Sequence, residues 1–206
     1  MKRLLTIALV IAFCAFAGSA YAGNFRLDVG AGPSFGSISV DEDIEDVSVD
    51  ADLGFGDGYT LGIRFWEDGL IFYKNLSLGL EYEYRNLSDN VEVSDGGDEE
   101  DLSLDLSSQT VFVNVALRRN SGDVHPYVGF GLGMGRFSLE AEMDDDSEDD
   151  SFTALVVQGI VGCDVDLSPN WYIGADAKYG YTNGSLFDVD ASYYVLSVLF
   201  RVGFKF

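Results

Sequence analysis

From Tyr194 to Phe206 the chain alternates without interruption. Tyr194, Leu196, Val198, Phe200, Val202, Phe204 and Phe206 share one parity, while Val195, Ser197, Leu199, Arg201, Gly203 and Lys205 share the other. A period of two belongs to a strand, not a helix. An unbroken apolar stripe backed by Arg and Lys suits a wall with hydrocarbon on one side and a polar interior on the other. No apolar stretch after Ala22 approaches the ~20 residues of a spanning helix. Any membrane crossing therefore has to be made with strands.

The alternation recurs along the chain and points to an all-β fold: an eight-stranded antiparallel up-and-down transmembrane β-barrel, closed so that no strand edge meets lipid. The earlier strands are Phe25 to Ala31, Leu53 to Phe65, Leu76 to Tyr84, Val111 to Leu117, Val128 to Met134, Leu155 to Leu167 and Trp171 to Tyr181. In the second, Leu53, Phe55, Tyr59, Leu61, Ile63 and Phe65 fall on one continuous face. In the fourth, Leu104 and Leu106 have the opposite parity from Val111 to Leu117, which predicts a bulge near Ser107 to Gln109.

The N-terminus reads as a leader. Met1-Lys2-Arg3, the apolar run Leu4 to Phe16 and the small-residue stretch ending Ala20-Tyr21-Ala22 form a secretory signal peptide over 1–22, leaving a barrel domain over 23–206. Cys14 follows the bulky Phe13, which argues against lipid attachment there. Removal of the leader leaves Cys163 as the one cysteine, so the barrel is expected to fold without a disulfide.

The connections alternate in character. Glu67-Asp68-Gly69, Asn120 to Asp123 and Ser168-Pro169-Asn170 are compact turns, expected in the periplasm together with both termini. The others are longer and acidic, and are expected outside the cell. Of the 35 carboxylates behind the net charge of −23, 25 lie in 41–52, 89–105, 140–150 and 184–191, segments with no Lys or Arg. Such loops repel nucleic acid. Asp144, Asp145, Asp146, Glu148, Asp149 and Asp150 offer hard oxygens to weakly bound calcium or magnesium, which would let the loop lie near anionic lipopolysaccharide, although EF-hand spacing is absent. No other cofactor is expected.

The interior has its own pattern. Arg26, Arg64, Arg85, Arg118, Lys178, Arg201 and Lys205 fall on the polar faces, against Asp28, Glu81, Glu83, Asp164, Asp166 and Asp176. Eight strands enclose a space that side chains fill, and buried charges persist when paired and hydrogen-bonded. The expected lumen is closed by ion pairs. Tyr59, Tyr179, Tyr181, Tyr193 and Tyr194 are assigned to the outer aromatic girdle, Trp66 and Trp171 to the inner one.

His125-Pro126-Tyr127-Val128-Gly129-Phe130-Gly131-Leu132-Gly133 resembles the Pro-Tyr-Val-Gly-x-Gly-x-Gly strand of the outer-membrane barrels that include opacity-type surface antigens and small OmpA-like barrels. Trp171 to Tyr179 and the terminal Phe206 are similar to that family's later strands. The resemblance spans the barrel region and implies a surface-exposed outer-membrane protein whose Phe206 is the signal read by barrel assembly machinery. It does not extend to a peptidoglycan-binding domain.

Catalysis finds little support. A lipid-modifying hydrolase needs a nucleophile beside a base near the outer leaflet, whereas the one histidine of the chain, His125, falls at a periplasmic turn. The Gly-x-Gly repeats lack the helix and lysine of a phosphate loop. The expected role is a non-enzymatic, monomeric surface-antigen-like barrel in contact with outer-membrane lipid and lipopolysaccharide. The alternative is a narrow porin-like channel lined by Arg201, Lys178 and Asp176.

Overall fold

A computed structural model describes residues 25–44, 47–70, 73–95, 98–143, 146–186 and 189–206. Its elements are all strands: β1 (Phe25–Ile44), β2 (Val47–Phe55), β3 (Asp57–Leu70), β4 (Tyr73–Asp95), β5 (Asp98–Arg118), β6 (Val124–Met143), β7 (Asp146–Asp166), β8 (Trp171–Leu186) and β9 (Val189–Lys205). β2 and β3 lie end to end along one edge of β1, and β9 pairs with its other edge to close the ring. The molecule is thus a closed antiparallel barrel of eight staves.

The join between β2 and β3 corrects one sequence expectation. Gly36 faces Phe55 and Pro33 faces Tyr59, so three steps on β1 are matched by four across Gly56. An extra residue on one strand is a bulge, and it reverses which parity faces inward. The single face expected to run from Leu53 to Phe65 is therefore interrupted at Gly56. A second bulge displaces an expected turn: Asp68 pairs with Ser77 and Leu70 with Tyr73, with the register shift between them. Gly69 takes φ 77° there, a left-handed value that glycine adopts without a Cβ penalty.

The strands are longer than a bilayer requires. β5 has 21 residues, whereas a spanning strand needs about 9–11. Near the end that carries Phe25 and Phe206, here the proximal end, Val111, Val113, Val115 and Leu117 point outward and Thr110, Asn114 and Arg118 inward. Further along β5, Leu104 and Leu106 are buried inside while Asp105 and Gln109 are exposed. The register with β4 and β6 runs unbroken through this region, so the bulge expected near Ser107 to Gln109 is absent. Parity is constant along β5; the polarity of its two faces exchanges instead. Hydrocarbon outside demands apolar outward residues, and beyond it the wall is water-facing and its interior can be the apolar side.

At the distal end the ring separates. Among the described residues, pairing of β7 with β8 begins only at Val156 and Thr182, pairing of β3 with β4 ends at Asp57 and Ser88, and β2 pairs with β1. The distal wall is therefore two sheets, one from β4 to β7 and one from β8 and β9 through β1 to β2. Leu87, Leu104, Leu106, Phe137, Leu139 and Val156 from the first meet Ile38, Ala191, Tyr193 and Val195 from the second in one buried cluster. Phe137 stacks on Phe152 at 4.9 Å and takes Tyr193 edge-on at 5.4 Å. This cluster caps the barrel.

Candidate functional site: a charged lumen under an apolar cap

Below the cap the interior is built from charge. Arg26, Asp28, Arg64, Glu81, Glu83, Arg85, Arg118, Asp164, Asp176, Lys178 and Arg201 all lie inside the barrel and are buried. Each stands at an inward position, and many of the counter-ions come from across the lumen, as when Lys178 on β8 meets Glu81 and Glu83 on β4.

Three tiers follow one another along the axis. In the proximal tier Arg26 grips Asp68 with two nitrogens, Nε at 2.6 Å and Nη2 at 3.0 Å, and gives Nη1 to Asp164 at 2.8 Å. Arg118 also pairs with Asp164. In the middle tier Arg201 reaches three carboxylates at once: Asp28 at 2.9 Å, Asp176 at 2.5 Å and Glu81 at 2.7 Å. Arg64 bridges Asp28 at 3.3 Å and Asp176 at 3.0 Å. Tyr172 donates its hydroxyl to Asp28, Tyr127 donates to Asp176, and Asn114 donates to Glu81. In the third tier Lys178 joins Glu81 at 2.6 Å and also pairs with Glu83, which takes Arg85 at 3.1 Å. Above it Ser34, Thr60 and Ser197 form a hydroxyl cluster.

The network balances once Asp68 is included. Six buried cations, Arg26, Arg64, Arg85, Arg118, Lys178 and Arg201, face the five buried carboxylates Asp28, Glu81, Glu83, Asp164 and Asp176, and Asp68 beside Arg26 makes six. Buried ions are costly to desolvate, and only paired geometry with extra hydrogen bonds offsets that cost. By composition Asp68 belongs to a turn. The bulge at Gly69 brings it back into the wall.

Aromatic side chains inside the lumen were also missed. Trp66, assigned to the inner girdle, is buried inside with the Arg64 guanidinium 5.0 Å from its ring centre. Tyr193, assigned to the outer girdle, is in the apolar cap. Tyr127 and Tyr172 stand beside Arg64 and Arg26, at 5.5 Å and 5.4 Å. Each of these three lumen rings has a glycine directly across the ladder: Trp66 and Gly79, Tyr127 and Gly162, Tyr172 and Gly203. A Cβ on any of those glycines would come within 2.6 Å of the ring. Gly79, Gly162 and Gly203 thus make room for the inward aromatics.

Lys205 and Asp166 lie at the proximal rim. Asp166 pairs with Lys205 and accepts from His125 Nε2 at 3.0 Å, while His125 Nδ1 meets the Arg119 carbonyl at 2.9 Å. Partial burial works against the charge on Asp166, but the hydrogen bonds from Lys205 and His125 outweigh it and hold the carboxyl below its ordinary range. His125 is thus occupied on both nitrogens. Phe206 is exposed, with its ring edge-on to Phe204 at 5.2 Å and its amide donating to the Phe25 carbonyl.

The acidic candidates lie mostly outside what is described. Asp144 and Asp145 are not among the described residues, nor are the side chains of Asp146, Glu148 and Asp149. Asp150 accepts from the Ser151 amide at 2.7 Å. Among the described residues no group of three or more His, Cys, Asp or Glu is placed to hold a metal.

Residues 6–206 match the outer membrane protein beta-barrel domain family. The chain belongs to that family. Its fold is shared with a major outer membrane protein from Thermus thermophilus, at TM-score 0.60 and 15% identity over 90% of this chain and 100% of that one. The outer membrane protease OmpT from Escherichia coli follows at 0.59 and 11%, over 89% and 97%. The outer membrane protein OprG from Pseudomonas aeruginosa gives 0.55 and 16%, again over 89% and 97%. No curated protein matches in sequence. Family and fold together make this an outer-membrane β-barrel, and its outward apolar band faces lipid.

Proposed function

We propose that this outer-membrane barrel is a closed, non-catalytic surface protein whose distal cap and acidic loops project from the cell while its termini face the periplasm. The observation that carries the proposal is the doubly blocked axis. Arg201 ties β9 to β1, β4 and β8 across the lumen, and the apolar cluster of Leu104, Leu106, Phe137 and Tyr193 stands above it. Ions crossing this interior would have to break buried pairs and then enter an apolar layer, and both steps are costly. Arg201, Lys178 and Asp176, which would line a channel, are engaged with carboxylates or arginines.

A structural or surface-interaction role follows, in which the loops rather than the lumen meet the outside. Export through the leader over 1–22 and reading of Phe206 by assembly machinery complete the proposal. Single-channel recording on the refolded barrel tests it. Folded protein without steady current supports a closed barrel; reproducible cation-selective openings overturn it in favour of the channel.

A further inference from the structure

The outward face of β5, β6 and β7 is organised in rows set by register. Val111, Met134 and Leu155 lie side by side and are exposed, a lipid-facing row. The next row toward the distal end is Gln109, Arg136 and Thr153, and the one after it Ser107, Ser138 and Ser151. Asp105 and Glu140 then begin the acidic exterior. Arg136 is central in this arrangement. Its Nη2 donates to Ser151 Oγ at 3.2 Å, and a hollow of about 100 Å³ beside it is lined by Ser107, Ser108, Gln109, Arg136 and Ser138.

The cation stands out against the rest of the chain. The 12 Lys and Arg residues comprise Lys2 and Arg3 of the leader, six in the lumen, and Lys74, Arg119 and Lys205 at the proximal end; Arg136 is the remaining one. In a chain of net charge −23, the one cation on the distal outer wall is at the boundary where apolar residues give way to hydroxyls.

We propose that Arg136, with Ser107, Gln109, Ser138 and Thr153, binds the phosphate of an anionic membrane lipid in the outer leaflet. The guanidinium supplies a charge-assisted, bidentate-capable donor, Ser, Thr and Gln supply neutral donors, and Val111, Met134 and Leu155 pack against the acyl chains of the same molecule. The acidic rows above exclude other anions from approaching along the aqueous wall. A free phosphate lacks the apolar half of the site, which selects the lipid. The proposal rests on the distal end lying at the outer leaflet, as set out under the proposed function.

The test compares unfolding midpoints in neutral phosphatidylcholine vesicles with those in vesicles also containing phosphatidylglycerol, with a chelator present to remove bridging divalent cations. Wild type is expected to gain several degrees from the anionic lipid, Arg136→Gln to lose that gain when each protein is referred to its own midpoint in neutral vesicles, and Arg136→Lys to keep part of it. Ser138→Ala, which leaves the charge in place, is expected to reduce the gain and serves if Arg136→Gln does not fold. A gain that survives in Arg136→Gln overturns the proposal, as does an equal gain in neutral vesicles from inorganic phosphate alone. Current recordings report on the closed lumen independently, so an open channel and a missing lipid site are distinguishable outcomes.

Discussion

Trp66 and Gly79 face each other across the β3–β4 ladder, and the indole lies so close to the glycine that a Cβ there would come 2.6 Å from its ring. The ring also carries Arg26 and Arg64 over its faces. The missing side chain on β4 thus sets where two lumen arginines rest. Gly79→Ala is expected to push the indole into both of them and to destabilise the barrel by about 1–3 kcal/mol, the usual range for overpacking. Urea unfolding followed by heat-modifiability on gels measures it; an unchanged midpoint contradicts the close packing.

Arg201 serves three carboxylates from one side chain. Removing it in Arg201→Met leaves Asp28, Asp176 and Glu81 short of positive charge in the interior, for an expected loss of about 3–5 kcal/mol. Adding Asp176→Asn should recover part of that loss, because one surplus charge disappears. A double-mutant cycle on the same unfolding assay reports the coupling. Simple additivity would show that the two groups do not act as a unit.

The cap predicts a contrast between neighbours in sequence. Leu106→Ala removes packing from the buried cluster and is expected to cost about 2–5 kcal/mol. Asp105→Ala alters an exposed position and should stay within about 0.5 kcal/mol of wild type. Comparing the two variants by thermal unfolding tests whether the alternate parity is inside. Equal effects would contradict the inverted wall.

Acid should loosen the proximal rim. The Asp166 carboxyl is held below its ordinary value of 3.8 in the fold, so its contribution to stability is complete above the unfolded-chain value near 3.9 and fades as pH falls through the depressed folded value. Asp166→Asn is expected to flatten that part of the acid limb. Unfolding midpoints of both proteins across the acid range measure the difference, and parallel curves would remove Asp166 from the account.

Much of this architecture is legible in residue parity alone. Arg26, Arg64, Glu81, Arg118 and Lys178 share faces with glycine and small polar residues and lie opposite apolar runs, which marks them as inward. Trp66, Tyr127 and Tyr172 carry the same mark, since they share parity with Arg64, Gly129 and Asp176 respectively. For Trp66, its aromatic character suggested a lipid interface and masked that mark. Asp68 was hidden by turn-like composition, because nothing local separates a turn at Gly69 from a bulge there. Leu104 and Leu106 were misread for a deeper reason. Period-two patterns report which face is apolar, and assigning that face to the outside holds only where lipid is outside. Gly54, Gly56 and Gly58 likewise give no local sign of which one takes up the extra residue.

The central claim is that β5 and β6 keep one parity while their environment changes from lipid to water between Val111 and Gln109. Spin labels placed singly at Asp105, Gln109, Val111, Val113 and Val115 in the refolded barrel in bilayers measure this directly, through relaxation by oxygen dissolved in lipid and by a water-soluble paramagnet. Labels at Val111, Val113 and Val115 should respond to oxygen, and those at Asp105 and Gln109 to the aqueous reagent. Lipid exposure extending through Gln109 to Asp105 would contradict the inverted cap.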